Sequence, residues 1–302
     1  MFMILALGIG IILLLPTPEN AYHYTIIDKH RLLSGIKNPK IVFAGGSNVA
    51  YGIDSAKIQG ELHIQAVNMG LNADIGLGRI LYDISPFLNS GDILLIAPEY
   101  EHFTNLWNGS EGAYELIFGT RQYRLLWSPY FGIAKVNGFF NYLSAHLWDI
   151  IRWGFIQETI TLPFLRNGFN EYGDYINHLE MENQLIISNS DLGTLNRTYS
   201  NYFFQLVDNF SIRGITVLLS YPSYEEQSFR NSARLIQELD AAFRANENLL
   251  VISTPESYCY PVNYFYDTPY HLNKEGRSVR TDQLIQDLQA SDLFLNNPQF
   301  GK

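Results

Sequence analysis

Three residues of this chain have the types and positions that nucleophilic catalysis requires. Ser47 follows an apolar run, residues 40–44, and two glycines. Asp267 and His271 lie close together near the other end of the chain. A serine hydroxyl becomes a nucleophile when a histidine takes its proton and a carboxylate orients that histidine. The sequence therefore offers Ser47 as nucleophile, His271 as base and Asp267 as its carboxylate partner.

Each of these residues also has a purely structural interpretation. The segment Gly45-Gly46-Ser47-Asn48 could be an ordinary turn from a strand into a helix, with Ser47 or Asn48 as the helix cap. Asp267 could cap a turn, and a histidine in front of a helix could be a cap or a surface residue. Only their placement by the fold separates the two interpretations.

Strand and helix patterns alternate on both sides of a long middle segment. Apolar runs of strand length lie at residues 40–44, 63–68, 93–97, 215–220 and 249–253. Helical patterns lie at residues 28–34, 54–62, 76–88, 196–210, 224–245 and 274–288. Apolar strands that alternate with helices are typical of a parallel sheet covered on both faces. We therefore predict an α/β fold with a five-stranded parallel sheet flanked by helices.

The predicted sheet gives the catalytic candidates a common location. Open α/β sheets bind their ligands at the carboxyl ends of the strands. Ser47 follows the first strand, and Asp267 and His271 follow the fifth. We expect all three at one edge of the sheet, with His271 within reach of Ser47 if strands one and five approach there.

Residues 104–195 interrupt the pattern with a long, aromatic, mainly helical insertion. Helices are predicted at residues 112–127 and 136–155. The second has apolar residues on every side, which favours a core helix; a surface that meets a membrane or a partner is the alternative. Residues 166–174 form a loop rich in turn formers that ends at Asp174 and could line a site.

Three short motifs resemble the SGNH hydrolases, which are also called GDSL-type hydrolases. Gly45-Gly46-Ser47-Asn48 is similar to the first block of that family, Asn68-Met69-Gly70 to the second, and the segment from Asp267 to His271 to the last. The resemblance covers the two parts of the chain that flank the insertion. It implies a flavodoxin-like three-layer sandwich, a Ser47 nucleophile, and an oxyanion hole that uses the amides of Ser47 and Gly70.

The chain departs from the family's third block, which supplies an asparagine after strand three. Here that position reads Ala97-Pro98-Glu99-Tyr100. Asn72 is our candidate for the missing oxyanion donor, and Glu99 could instead orient His271. The spacing from Asp267 to His271 is also one residue longer than in the family, so Asp267 and Glu99 are alternative partners of the histidine. Further candidates to line the site are Asn48, Glu99, Tyr100, Asp174 and Tyr270.

The motifs around Ser47 and His271 resemble one branch of the family more closely. Its members are exported, are associated with polysaccharide O-acetylation or D-alanylation, and work beside membrane-bound acyltransferases. The resemblance implies transfer or hydrolysis of an acyl group, most simply acetyl, on a cell-surface polysaccharide through an acyl-enzyme on Ser47. No cofactor or metal is implied. The alternatives are a non-catalytic protein that binds glycan or docks on an acyltransferase, and a lipid esterase.

The composition of the chain argues against some partners and some kinds of site. The 302-residue chain carries a net charge of −10 and no basic cluster, so nucleic acid is not an expected partner. Its one cysteine, Cys259, excludes an internal disulfide and a zinc site built on cysteines.

Residues 1–15 are all apolar or glycine, and Pro16 follows them. This run is short for a spanning helix but suits a signal peptide or a membrane anchor. We therefore predict a signal peptide or anchor at residues 1–16, a folded domain at residues 17–302, and an extracytoplasmic location. A buried N-terminal helix or strand is the alternative.

Overall fold

The computed structural model describes most of the chain. The described residues are 9–10, 12–13, 19–37, 39–127, 129, 132–152, 165–184 and 191–295. Most of residues 1–16, for which we predict a signal peptide or anchor, lie outside this set. Within it, no helix is both long and apolar enough to cross a membrane.

The predicted α/β fold with a five-stranded parallel sheet is confirmed. Its strands are β1 (Lys40–Gly45), β2 (Gln65–Asn68), β3 (Ile93–Ala97), β4 (Thr216–Leu219) and β6 (Leu249–Val251), and a separate pair is formed by β5 (Tyr224–Glu225) and β7 (Cys259–Tyr260). The five strands stand in the order β2-β1-β3-β4-β6, and each pairs with its neighbour in parallel. Every residue of β1 and β3 is buried, as their apolar sequences require.

Eleven helices of the described residues surround or extend this sheet. They are α1 (Thr25–Gly35), α2 (Ser47–Gly52), α3 (Ser55–Leu62), α4 (Leu77–Ile84), α5 (Glu111–Tyr114), α6 (Val136–Ile151), α7 (Arg197–Ile212), α8 (Glu226–Asn231), α9 (Ala233–Arg244), α10 (Lys274–Ala290) and α11 (Asp292–Leu295).

The sheet separates two hydrophobic clusters, which makes the molecule a three-layer sandwich. Alternate residues of β1 point to opposite faces: Val42 belongs to the cluster that includes apolar residues of α1, α4, α7 and α9, whereas Phe43 belongs to the one that includes residues of α2, α3 and α10. Both faces are therefore covered, in agreement with strands that are apolar throughout.

The strand order fixes where a ligand crevice opens. From β1 the chain passes to β2 on one side of it, and then to β3 on its other side. In open α/β sheets the crevice lies at such a reversal of strand order, at the carboxyl ends of the strands. The reversal here lies between β1 and β3, which end just before Ser47 and Glu99.

The fifth strand of the sheet, β6, does not approach β1. Two strands, β3 and β4, lie between them. We expected contact between Ser47 and His271 to depend on an approach of strands one and five. Because these strands are not neighbours, they cannot bring the two residues together. Their proximity depends on the long connection between β6 and α10, which crosses back over the sheet edge.

Two predicted helices are wrong in extent. Residues 224–245 do not form one helix, because Tyr224 and Glu225 pair with β7 and a break at Ser232 separates α8 from α9. Residues 112–127 give α5, a π-helical turn (Glu115–Gly119) and a 3-10 turn (Tyr123–Leu126). The helix predicted at residues 136–155 is confirmed for α6, and most of its remaining residues lie outside the described set.

Candidate functional site

Ser47 is the first residue of α2, just beyond the carboxyl end of β1. The turn before it presses against the end of β3. A Cβ on Gly45 would lie 2.4 Å from the carbonyl oxygen of Ala97, and one on Gly46 would lie 2.5 Å from Glu99 Oε1. Neither glycine has a positive φ. This close approach to β3, rather than an unusual backbone angle, therefore requires the two glycines.

Asp267 and His271 form a pair within a tightly closed loop. The loop is held by hydrogen bonds from the Tyr266 amide to the His271 carbonyl oxygen (2.8 Å) and from the Asn273 amide to the Tyr264 carbonyl oxygen (2.9 Å). His271 Nδ1 lies 2.6 Å from Asp267 Oδ1. With Nδ1 as the donor to the carboxylate, the other ring nitrogen, Nε2, is left as the proton acceptor.

The ring of Tyr51 connects His271 to the helix that carries Ser47. Tyr51 stacks on His271 with a centroid distance of 4.0 Å and an interplanar angle of 12°. Residues four apart in a helix lie on the same face, so Tyr51 is the neighbour of Ser47 on the next turn of α2. The stacking therefore places the imidazole beside the face of α2 that carries the serine.

One pocket of about 410 Å³ is lined by half of the predicted site residues. Its wall includes Ser47, Asn72, Glu99, Tyr270 and His271, all predicted, together with Asp74 and Glu101, which the sequence did not single out. Ser47 and His271 thus face the same space, and Asp267 supports His271 from outside the pocket wall. A pocket of this size can admit part of a sugar or a short acyl chain.

Glu99 binds the nucleophile candidate rather than the histidine. Its Oε1 accepts hydrogen bonds from Ser47 Oγ (3.2 Å) and from the amide of Asn48 (2.9 Å). Glu99 is only 4% exposed, and it lies at the amino end of α2, where the helix dipole stabilises a carboxylate. The partner of His271 Nδ1 is Asp267, so the expectation that Glu99 could orient His271 finds no support in this geometry.

The predicted oxyanion donors differ in their availability. The amide of Gly70 donates to Asn68 Oδ1 at 2.8 Å and is therefore already occupied, which corrects its predicted role. The Ser47 amide is at the first position of a helix, where no intrahelical acceptor exists. Asn72 lines the pocket, and its Oδ1 accepts from the amide of Asp74 (2.9 Å), which leaves its side-chain nitrogen as a possible donor. Ser47 and Asn72 are thus the candidates that fit.

Asn48 supports the site from behind and is not in the pocket wall. Its Nδ2 donates to the Ala97 carbonyl oxygen at 3.1 Å. The guanidinium of Arg280 donates to both the side-chain and backbone oxygens of Asn48, at 2.9 and 2.5 Å. Arg280 is buried, and its contacts fix α2 against α10. Asn48 therefore positions Ser47 and is not available to a ligand.

Tyr100 and Asp174 are also buried outside the pocket wall. The amide of Tyr100 donates to the Tyr270 hydroxyl at 3.2 Å, and that hydroxyl donates to Glu101. This chain of contacts ties the histidine loop to the end of β3. Tyr270 therefore has two roles, since its ring lines the pocket and its hydroxyl anchors the loop.

Asp174 is the centre of a buried polar network. Its carboxylate accepts hydrogen bonds from Ser55, Asn68, Asn170 and Arg277 at distances between 2.6 and 3.2 Å. The predicted role of Asp174 in lining the site is wrong, because the carboxylate is fully enclosed by these partners. It instead joins the 166–174 loop to β2, α3 and α10.

Lys29 is a further structural residue that the sequence did not reveal. Its ammonium group donates to the carbonyl oxygens of Asn68 (2.8 Å), Gly70 (2.8 Å) and Gly173 (2.6 Å). Three acceptors match the three donors of an ammonium group. Burial lowers the pKa of Lys29 to about 7, and the negative charge of Asp174 opposes that change. The contact partners come from distant parts of the chain, so no local signal could have indicated them.

The pocket is acidic. Asp74, Glu99 and Glu101 line it, and Asp267 lies behind His271. Burial, and then the nearby charge of Glu99, raise the pKa of Glu101 to about 7. Burial also raises the pKa of Asp74. Within the described residues no cluster of three or more acidic, histidine or cysteine side chains is placed to hold a metal ion.

Comparison with known proteins adds no assignment to this geometry. No protein-family model matches the chain, and a search of curated proteins finds no significant match. The groups of the site are a serine hydroxyl, a histidine with a carboxylate on its Nδ1, and two candidate oxyanion donors, and these determine the chemistry that it allows.

Proposed function

We propose that the chain catalyses serine-dependent acyl transfer or ester hydrolysis on a polysaccharide outside the cytoplasm. The observation that carries the proposal is the shared pocket: Ser47 and His271 line one cavity, and Asp267 lies 2.6 Å from the far ring nitrogen of His271. The contact between Asp267 and His271 is the one by which a carboxylate orients a base toward a serine. The acyl group is most simply acetyl.

The proposed reaction has two steps. His271 Nε2 takes the proton of Ser47 Oγ as that oxygen attacks the ester carbonyl carbon. The ester C–O bond breaks, the leaving alcohol takes the proton from His271, and the acyl group remains on Ser47. Water, or a hydroxyl of an acceptor sugar, then attacks the acyl carbon while His271 takes its proton. The bond between that carbon and Ser47 Oγ breaks, His271 gives the proton to Oγ, and the free acid or the new ester leaves.

Each step develops negative charge on the former carbonyl oxygen. The Ser47 amide and the Asn72 side-chain nitrogen are the donors proposed to stabilise it. One oxyanion donor contributes roughly 3 kcal/mol of transition-state stabilisation. The hydroxyl of Ser47 donates to Glu99 in this structure, so it must turn from Glu99 to His271 for the reaction to begin.

The location proposed for this activity rests on the N-terminal sequence. Residues 1–15 would serve as a membrane anchor or an export signal, so that the pocket meets a cell-surface glycan. A membrane-bound acyltransferase remains a proposed partner, because it would supply the acyl group in a transfer reaction.

A second function, non-catalytic glycan binding or docking on an acyltransferase, is favoured by one observation. A negative carboxylate, Glu99, binds the Ser47 hydroxyl and the Asn48 amide at the position where the resembling family carries an oxyanion donor. A negative charge there opposes the charge that develops in acyl transfer. In this alternative Ser47 and the acidic pocket wall would bind sugar hydroxyls without reacting.

Turnover of an ester separates the two proposals. We expect hydrolysis of p-nitrophenyl acetate, or release of acetate from an O-acetylated oligosaccharide, to fall about a thousandfold or more in Ser47→Ala and in His271→Ala. Ser228→Ala is the matched control, because the Ser228 hydroxyl at the same pocket is bound to Glu225 (3.0 Å) and has no proposed role. Retention of full turnover by Ser47→Ala would contradict the catalytic proposal.

A further inference from the structure

The insertion exposes many large apolar side chains. Fifteen large apolar side chains are exposed in the described residues. Six of them define what we call the apolar face: Trp127, Ile133, Val136, Phe140, Leu147 and Trp148. Trp127 and Ile133 are 77% and 79% exposed, and Phe140 and Trp148 are 59% and 57% exposed. Concentrated exposure of large apolar groups is typical of a surface that meets a membrane or another protein.

The segments that carry the apolar face are held together by Arg79. Its guanidinium donates to the carbonyl oxygens of Leu125 (3.3 Å) and Gly132 (2.8 Å), which joins the 3-10 turn Tyr123–Leu126 to the segment that leads into α6. Ile133 and Val136 follow directly, and Phe140, Leu147 and Trp148 continue along α6. Arg79 therefore connects the two segments from which the apolar face is built.

The outward side of α6 also lacks charge. Its exposed residues are Val136, Asn137, Phe140, Asn141, Ser144, Ala145, Leu147 and Trp148. The inward side is formed by Gly138, Tyr142 and His146. A solvent-facing helix of a soluble protein normally carries charged residues on its outer side. The prediction that this helix belongs to the core is therefore correct only for its inward side.

The N-terminal apolar run reaches the molecule at this same helix. The carbonyl oxygen of Ile12 lies 3.1 Å from His146 Nε2, and Leu13 packs against the cluster that contains Tyr142. As a helix, residues 1–15 would extend about 22 Å, which is less than the ~30 Å hydrocarbon core of a bilayer. A segment this short can enter a bilayer deeply only if the folded part lies directly against its surface.

The charged residues near the apolar face are of the kind expected in a surface that binds lipid. The chain as a whole carries a net charge of −10, but residues 120–152 contain four basic residues and one acidic residue. One of the four, Arg124, pairs with the buried Asp83. Arg121 and Lys135, which lie next to the apolar face in sequence, are exposed. Basic residues beside tryptophan and phenylalanine fit the interface of a membrane that contains anionic lipids.

The apolar face is also connected to the proposed active site. Two glycines allow the elements between them to pack closely. A Cβ on Gly138 of α6 would lie 2.6 Å from the amide nitrogen of Glu111 in α5. A Cβ on Gly112 of α5 would lie 3.0 Å from the Cβ of Asp74. Asp74 lines the pocket. The pocket wall, α5 and α6 therefore form a continuous packed stack, and a bilayer bound at α6 would lie two packed elements from the pocket.

We propose that the apolar face is a bilayer-binding surface that lies at the lipid–water interface. Binding of this kind follows from the apolar area buried, with added attraction between the basic residues and anionic headgroups. The proposal does not depend on the chemistry at Ser47, since it rests on the insertion and the N-terminal run alone.

An environment-sensitive fluorophore tests the surface directly. The full chain, with Cys259→Ser to remove the native thiol, would be labelled with an NBD group at Phe140→Cys or, as the matched control, at Ile212→Cys, which replaces a residue that is 86% exposed on α7. Both proteins would be bound to phosphatidylcholine vesicles with and without phosphatidylglycerol. We expect a blue shift and quenching by lipid-borne quenchers for the label at position 140 but not at position 212.

Each other outcome would overturn the proposal. If the protein is recovered with the vesicles but the label at position 140 stays in water, the N-terminal run alone binds the membrane and the apolar face does not. Failure to bind either vesicle would exclude a lipid surface. A label that becomes protected only when an integral membrane protein is added would assign the apolar face to that protein.

Charged substitutions give a second measurement that does not require labelling. We expect Phe140→Asp and Trp148→Asp each to weaken vesicle partitioning on the order of tenfold, because burial of a half-exposed aromatic side chain is lost. Ile212→Asp should leave partitioning unchanged. Equal partitioning of all three variants would contradict the proposed surface, and far-ultraviolet circular dichroism checks that each variant is folded.

Discussion

The Ser47 hydroxyl donates its hydrogen bond to Glu99 in this structure, although the proposed reaction requires it to donate to His271. The two acceptors have opposite consequences for catalysis. His271 becomes positive when it takes the proton and attracts the developing oxyanion, whereas Glu99 is already negative and repels it. Glu99 is therefore the residue most responsible for any difference between this site and an ordinary serine–histidine centre.

We expect Glu99→Gln to raise ester turnover about tenfold or more. The glutamine keeps an oxygen for the Asn48 amide, removes the negative charge beside Ser47, and adds an amide donor. The measurement is kcat/KM for an acetyl ester. Asp74→Asn is the matched control, since it removes a carboxylate of the same pocket that does not contact Ser47.

A fall in turnover in Glu99→Gln, with Asp74→Asn unaffected, would contradict this account of Glu99. It would indicate that the carboxylate itself accepts the proton of Ser47.

Glu101 gives a prediction about pH and stability. Burial raises its pKa from 4.5 to about 7 in the folded protein, so between these values the folded chain holds a proton that the unfolded chain has lost. The free energy of unfolding contributed by Glu101 therefore falls as the pH rises from about 4.5 to about 7. We expect Glu101→Gln to reduce this slope in urea titrations; an unchanged slope would contradict the predicted shift.

At the scale of single residues, the sequence predicted which residues belong to the site better than it predicted their hydrogen-bond partners. Ser47, Asp267 and His271 follow strand ends, where a parallel sheet predicts its ligand site, and this could be read from the motifs. The occupation of the Gly70 amide by Asn68 could not be predicted, because a side chain that folds back two residues leaves no trace in spacing. The contact of Glu99 with Ser47 required knowledge that β3 is the neighbour of β1.

At the scale of elements, short segments from distant parts of the chain hold the site in place. Arg280 of α10 fixes α2, Lys29 of α1 fixes the turn after β2, and Tyr270 fixes the histidine loop to the end of β3. These contacts cross large sequence separations. They compensate for the irregular backbone that follows each strand, where regular hydrogen bonding ends.

We expect Lys29→Met to destabilise the fold by about 3 kcal/mol, because it leaves buried carbonyl oxygens without a donor. The affected oxygens are those of Asn68, Gly70 and Gly173. Lys57→Met is the matched control, since Lys57 is half-exposed and pairs with the exposed Asp282. Urea unfolding measures both variants, and a loss below about 1 kcal/mol in Lys29→Met would contradict the proposed role.

Strands and helices were predictable where the pattern of apolar residues within the segment was sufficient to specify them. The strand at residues 93–97 was predicted with its observed bounds, because five consecutive apolar residues stand between turn formers. The helix predicted at residues 224–245 is found as two helices, α8 and α9, with a break at Ser232. Its first two residues are not helical because Tyr224 and Glu225 pair with β7, a contact that no local pattern reveals.

At the scale of the whole molecule, one sheet carries both the core and the site. The order β2-β1-β3-β4-β6 was not predictable from the strand patterns, which specify strands but not neighbours. That order places β6 away from β1, so the loop between β6 and α10 must deliver His271. The fold class was predictable, whereas the path by which the two halves of the site meet was not.

A buried ion pair joins the amino ends of the two central strands. Lys40 Nζ lies 2.7 Å from Asp92 Oδ2, and both side chains are almost fully buried. We expect Asp92→Asn to cost about 3–5 kcal/mol of unfolding free energy, because it leaves the Lys40 charge buried without a counter-charge. Asp282→Asn, at an exposed pair, should change it by less than about 1 kcal/mol. Equal effects in urea unfolding would contradict this assignment.

Covalent labelling of Ser47 is the most direct test of the central claim. The full chain would be treated with a fluorophosphonate, digested, and mapped by mass spectrometry. The proposed function predicts one adduct, on Ser47, that is absent in Ser47→Ala and forms far more slowly in His271→Ala. No adduct on Ser47 in the folded protein, or equal labelling of the unmodified chain and Ser47→Ala, would contradict it and favour a pocket that only binds.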